Sequence, residues 1–174
     1  GVNHKDYDPN NYSVVSNASC TTNCLAPTMK VLVENFGVNN AVVTSIHALT
    51  YTQNLLDNSS SGDFRRARAT MSSVIPTTTG AMAAISQVLP ELDGKVCGMA
   101  FRVPTLCVSC LDMAVTFDRK VTVDEINEAF LKAESEELMG VLGTSSEPLV
   151  SIDYKGDTRS CIVDLLSTKV VNGK

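Results

Sequence analysis

No apolar stretch in this sequence of 174 residues is long enough to span a bilayer, and no basic-then-apolar leader opens it. The formal net charge is −5, and no lysine or arginine run is long enough to suggest a nucleic-acid footprint. That absence argues against a membrane partner and against an extended nucleic-acid footprint. Tryptophan is missing and aromatic residues make up 5% of the chain, which leaves no aromatic bias to interpret. Internal repeats and low-complexity segments are absent too. So is any G-x-G-x-x-G, the glycine-rich cradle that a dinucleotide pyrophosphate needs. What remains is the composition of a soluble globular protein, of a length that suits one domain with a sizeable core or at most two small ones.

Six cysteines are present, but their positions do not describe a disulfide framework. Cys97, Cys107, Cys110 and Cys161 fall in apolar, strand-like runs without glycine-rich turns. Cys107 and Cys110 spell a CxxC, yet three residues apart on a strand they point to opposite faces, which defeats a zinc knuckle. No metal site is expected, and reduced thiols in the cytoplasm fit the pattern best.

The polar opening over 1–11 reads as a loop, and Ser13-Val14-Val15 as a strand. Leu25, Met29, Leu32, Val33 and Phe36 recur at a helical period, predicting a helix over 22–36 with Gly37 at its C-terminus. A strand is expected over 41–49, then a long functional loop over 51–73. A helix over 80–89 ends at Pro90. Strands follow over 96–103 and 106–117, broken by Pro104. Thr122 and Glu125 form a capping box for a helix over 122–135 with one apolar face. Strands over 149–154, 160–166 and 168–171 complete the pattern, and Asn172-Gly173 is a hairpin signal. Short links and helices on one side predict an α+β fold, a mixed and largely antiparallel sheet covered by helices.

The chemistry concentrates in two places. Cys20 sits where a strand gives way to a helix, in the field of unpaired backbone amides that favours a thiolate nucleophile. His47 ends the apolar run over 41–46, and a histidine brought beside such a cysteine is a proton carrier for it. Cys24 lies one turn later on the same face, without that field. Thr77-Thr78-Thr79-Gly80 opens a helix and makes an anion site of amides and hydroxyls. Arg102 stands alone in an otherwise apolar strand, and Arg65 begins the run Arg65-Arg66-Ala67-Arg68.

SNASCTTNCLAP over 16–27 resembles the active-site signature of phosphorylating glyceraldehyde-3-phosphate dehydrogenases. The likeness continues through HALT (47–50), RRAR (65–68), IPTTTGA (75–81), LPELDGK (89–95), FRVPT (101–105) and PLVSIDY (148–154). The resemblance implies that 1–174 is the catalytic domain of a longer enzyme whose nucleotide-binding domain is absent from this chain. It implies Cys20 as nucleophile and His47 as its partner. Thr50, Arg65 and Arg102 match residues that hold the phosphate of glyceraldehyde 3-phosphate; Ser19, Thr21, Thr79 and Gly80 match those for inorganic phosphate. It implies a thioester route to 1,3-bisphosphoglycerate, a homotetramer in the cytoplasm, and NAD or NADP as cofactor. Asn58-Ser59 after Asp57 replaces the Leu-Pro pair of strict NAD members, and the loop over 58–62 looks one residue longer. Erythrose-4-phosphate dehydrogenase and a non-catalytic fragment are the alternatives.

Overall fold

Alternation of small apolar and polar residues builds the central strand, β1 (Val38–His47), with Ala41, Val43 and Ser45 buried on one side and Val42 exposed on the other. A computed structural model describes residues 1–59 and 62–173. The sheet around β1 is ordered β2 (Ile75–Thr77), β3 (Val96–Arg102), β1, β4 (Cys110–Phe117). β1 runs parallel to β3, and both outer pairings, β2 with β3 and β1 with β4, are antiparallel. A second sheet pairs β5 (Leu142–Ser145) with β6 (Cys161–Asp164) in parallel. Gly98 permits the closest approach within the main sheet: a Cβ there would lie 2.0 Å from the Val43 carbonyl oxygen.

Helices α1 (Cys20–Phe36), α2 (Ala81–Val88) and α3 (Val123–Ser135) supply the core on the face that carries Val43. Leu25, Met29 and Leu32 of α1 meet Ile85 of α2 and Phe130 of α3 there, all almost fully buried. Gly37 ends α1 at φ 67°, a left-handed conformation that a side chain would strain and that would drive a Cβ into Asp118. Thr122 and Glu125 form the expected capping box of α3. The opposite face of the sheet, with Val42, Cys97, Met99 and Ala114, is exposed. The α+β class and the mixed sheet are as the sequence predicts.

Several local expectations change. No described strand pairs with Ser13-Val14-Val15, and Val14 and Val15 are exposed; without a neighbour an extended run is not a strand. α1 starts at Cys20, earlier than its apolar period shows, because Ser19 caps it. Over 149–154 a 3₁₀ turn (Ser151–Tyr154) replaces a strand, since the Asp153 carboxylate accepts the Val150 N–H at 2.8 Å. Asp164 likewise ends β6 by accepting the Leu166 N–H, and no strand forms over 168–171. Asn172 and Gly173 both take left-handed conformations, but with no strand over 168–171 they close no hairpin from it. Cys107 lies in a bend outside β4, so strand geometry is not what separates it from Cys110. β3 and β4 are not a hairpin either: β1 lies between them.

Candidate active site

The chain enters α1 through a tightly fastened corner. Ala18 turns left-handed at φ 57°, and Ser19 follows in extended conformation with its Oγ accepting the Thr22 N–H at 3.1 Å. The Asn23 amide donates back to the carbonyls of Asn17 (2.6 Å) and Ser19 (2.9 Å). Cys20 is thereby fixed as the first residue of a 17-residue helix, at the positive end of its dipole. Its side chain is exposed, with Sγ 3.4 Å from His47 Nε2 and 4.0 Å from Thr21 Oγ1.

His47 is the last residue of β1, and the parallel register places Arg102 directly beside it. His47 Nδ1 lies 2.7 Å from the Ala48 carbonyl oxygen. Arg102 Nη1 packs against the same ring nitrogen and donates to the same carbonyl at 3.1 Å. Nδ1 thus meets an acceptor and a donor at once: the Ala48 carbonyl calls for Nδ1–H, which turns the Nε2 lone pair to the Cys20 thiol, whereas the Arg102 N–H calls for the reverse, and a base beside Cys20 requires the first. Burial pulls the Arg102 guanidinium below its usual range; Cys20 opposes that shift and the charge of Arg66 adds to it. Arg102 Nε is buried without a partner among the described residues, a donor left for a ligand acceptor.

The anion-binding candidates are distributed over neighbouring loops. Thr50 donates its hydroxyl to Gln53 Oε1 at 3.0 Å and touches Thr52 Oγ1. Thr79 Oγ1 accepts the Ala81 N–H at 3.2 Å, and Gly80 stands at the N-terminus of α2. Arg65 is exposed and shares a cavity of about 390 Å³ with Thr77, Thr78 and Thr79. Cys20, Thr21 and His47 line a separate cavity of about 1170 Å³ between α1, β4 and β6. Ser19 is spent on its capping role, with its hydroxyl also 2.8 Å from that of Thr22.

Arg66 is the residue that sequence reasoning passed over. Its Nε and Nη2 donate to Thr77 Oγ1 at 3.3 and 3.0 Å, and its charge reaches Arg102. Spelling alone cannot choose between two adjacent arginines. In the fold it is Arg66 that meets Thr77, while Asp63 Oδ1 accepts the N–H of both Arg65 and Arg66. Among the described residues no three His, Cys, Asp or Glu side chains gather as a metal site would require.

The family described as "Glyceraldehyde 3-phosphate dehydrogenase, C-terminal domain" matches residues 19–174. Glyceraldehyde-3-phosphate dehydrogenase 1 of Bacillus cereus is 56% identical over 99% of this chain and 52% of its own length. The Geobacillus stearothermophilus glyceraldehyde-3-phosphate dehydrogenase is 53% identical over 100% of this chain and 52% of its own. The cytosolic glyceraldehyde-3-phosphate dehydrogenase 3 of Zea mays is 48% identical over 99% of this chain and 51% of its own. The chain thus spans about half the length of the curated relatives it matches. With the Cys20–His47–Arg102 constellation inside the matched residues, the chain belongs to the glyceraldehyde 3-phosphate dehydrogenase C-terminal domain family.

Proposed function

We propose that residues 1–174 are the catalytic domain of a phosphorylating glyceraldehyde-3-phosphate dehydrogenase. It would convert glyceraldehyde 3-phosphate and inorganic phosphate to 1,3-bisphosphoglycerate. The observation that carries this reading is Cys20 Sγ at the start of α1, 3.4 Å from His47 Nε2. His47 Nε2 takes the Cys20 thiol proton, Cys20 adds to the aldehyde carbon as thiolate, and the oxygen left behind takes that proton back from His47. His47 Nε2 later recovers that proton as the carbon is oxidised to a thioester. Inorganic phosphate then attacks the thioester carbon, and Cys20 leaves as thiolate. Arg102, with its unpartnered Nε, and Arg66 with Thr77 and Thr79 supply donors for the two phosphate groups. Arg65, Thr50, Thr21, Ser19 and Gly80 complete the proposed set, on the resemblance of their motifs.

NAD or NADP, when bound, supplies the hydride acceptor. The residues present fit the reacting end of such a cofactor, because Cys20 is exposed at the mouth of its cavity. They do not offer the pyrophosphate cradle: α1 is preceded by Ser16-Asn17-Ala18-Ser19 and α2 by three threonines and one glycine. The nucleotide domain is therefore assigned to sequence outside 1–174. Of the loop over 58–62 that bears on NAD against NADP, Ser60 and Ser61 lie outside the described residues.

A homotetramer is part of the proposal. Tyr51, Leu55, Leu56 and Phe64 are all at least 75% exposed on one loop, and Val42 and Met99 are exposed on the open sheet face. Apolar surface of that extent suits subunit contact. A cytoplasmic location is proposed with it; all six thiols are free, and no helix among the described residues is long and apolar enough to cross a membrane.

Rapid mixing of the intact protein with cofactor and aldehyde tests the reading. Glyceraldehyde 3-phosphate should give a burst of reduced cofactor without phosphate and sustained turnover with it. Arg102→Leu should weaken both by about tenfold to a hundredfold, the worth of a hydrogen bond to a charged group. Turnover that ignores phosphate, or that prefers erythrose 4-phosphate, would contradict it.

A further inference from the structure

The turn between β3 and β4 contains the one β-branched residue with a left-handed backbone near the site, Val108 at φ 62°. A valine in that region is a true outlier, and such strain persists only where its surroundings hold it in place. The β1–β4 register shows what the turn displaces. Ile46 pairs with Cys110 and Ser45 with Leu111. Continuing that antiparallel register would set Ala48 opposite Val108 and extend the ladder past His47. The left-handed turn at Val108 ends the ladder, and the Ala48 N–H donates instead to the Ser109 hydroxyl at 3.1 Å.

The same turn holds the other backbone groups around Ala48. The His47 carbonyl accepts the Val103 N–H at 3.0 Å, and the Leu49 N–H donates to the Thr105 carbonyl at 2.9 Å. Both peptide planes flanking Ala48 are thus fastened to residues 103–109. The Ala48 carbonyl is left turned towards His47 Nδ1 and Arg102 Nη1, as their common acceptor. Two of these three fastenings are backbone to backbone and survive most substitutions. Ser109 is the one that depends on a side chain.

We propose that Ser109 is a positioning residue: through the Ala48 backbone it fixes the tautomer and aim of His47 and the placement of Arg102. The assignment rests on the reading of Cys20 and His47 as the reacting pair, and touches neither substrate nor cofactor. Ser109 is itself exposed, so water can replace a lost hydroxyl in part, and the expected effects are moderate.

Two readouts on the intact protein test it without aldehyde or nucleotide. One is the ¹⁵N spectrum of the His47 side chain; the other is the rate of Cys20 alkylation by iodoacetamide. In the wild type, Nδ1 should show the signature of a protonated ring nitrogen. Ser109→Ala should shift it towards an average of both tautomers and slow alkylation about threefold to tenfold. Ser109→Thr, which keeps the hydroxyl, should restore both to within about twofold. A folded Ser109→Ala protein with an unmoved His47 signal and an unchanged rate would overturn the proposal. If alanine at this position prevents folding, amide exchange on the unaltered protein decides. The Ala48 amide must then exchange far more slowly than exposed loop amides, and equal rates would overturn the proposal. A wild type that fails to oxidise the aldehyde would refute the proposed function and leave both readouts of Ser109 standing.

Discussion

Cys20 and Cys24 occupy the same face of α1 one turn apart, yet the fold treats the two thiols in opposite ways. Cys20 is exposed at the helix N-terminus beside His47. Cys24 is enclosed by the cavity wall, and burial, with Cys161, Cys110 and Cys20 as further causes, pushes its thiol up to about 12. Cys161 on β6 is pushed up to about 11, again mainly by burial. Cys110 is raised as well, by burial and by Asp112. One turn of helix thus separates an exposed thiol beside a histidine from an enclosed one. The difference lies in exposure and partners, which the identity of the amino acid does not report.

The sharpest way to break this contrast is to remove the proposed proton carrier, His47, on one side only. His47→Asn should slow the reaction of Cys20 with aldehyde by about two to four powers of ten. Cys24→Ala should leave that step within about threefold, since Cys24 does not touch the reacting atoms. Rapid-mixing kinetics of both variants checks the pair. Comparable losses in the two would show that the groove cysteines act as a unit.

A smaller effect comes from titration. Unfolded thiols ionise near ~8.5, whereas folded Cys24 and Cys161 resist ionisation to about 12 and about 11. Above the ordinary value the unfolded chain therefore releases protons that the folded one keeps. The stability these thiols contribute is whole below that value and is lost as pH climbs through the folded ones. Cys24→Ala should flatten the alkaline decline by at most about 1.4 kcal/mol per pH unit. Urea unfolding at neutral and alkaline pH measures it. Curves for variant and wild type that fall in parallel would remove the contrast in burial.

The smallest predicted effect compares two helix caps. Thr122→Ala breaks the capping box of α3 and should cost about 1 kcal/mol of stability, with Cys20 reacting as before. Ser19→Ala should cost a similar amount and also slow Cys20, because that cap sets where α1 begins. Thermal melts paired with alkylation rates separate the two. A slowed Cys20 in the Thr122 variant would mean that the site senses general loosening rather than its own cap.

What was legible in the sequence follows from how local each cause is. The period of Leu25, Met29 and Leu32 and the box at Thr122 and Glu125 are set by near neighbours, and both appear as expected. The strands over 13–15, 149–154 and 168–171 fail because pairing is decided elsewhere in the chain. The one over 149–154 gives way to an aspartate, Asp153, that satisfies the Val150 amide itself. In the site, Cys20, His47 and Arg102 were readable from motif and type, and the parallel register then joins His47 to Arg102. Arg66 and Ser109 were not readable. That Arg66 rather than Arg65 meets Thr77 is not visible in two adjacent arginines, and Ser109 meets the Ala48 N–H only because Val108 ends a ladder.

The central claim is that one thiol among six is placed to react. Brief treatment of the intact protein with substoichiometric iodoacetamide at neutral pH, followed by peptide mass spectrometry, measures this directly. Cys20 should carry nearly all of the label, Cys24 and Cys161 almost none, and His47→Asn should reduce labelling of Cys20 without redirecting it. Label that reaches Cys110, Cys97 or Cys24 as fast as Cys20 would contradict the account.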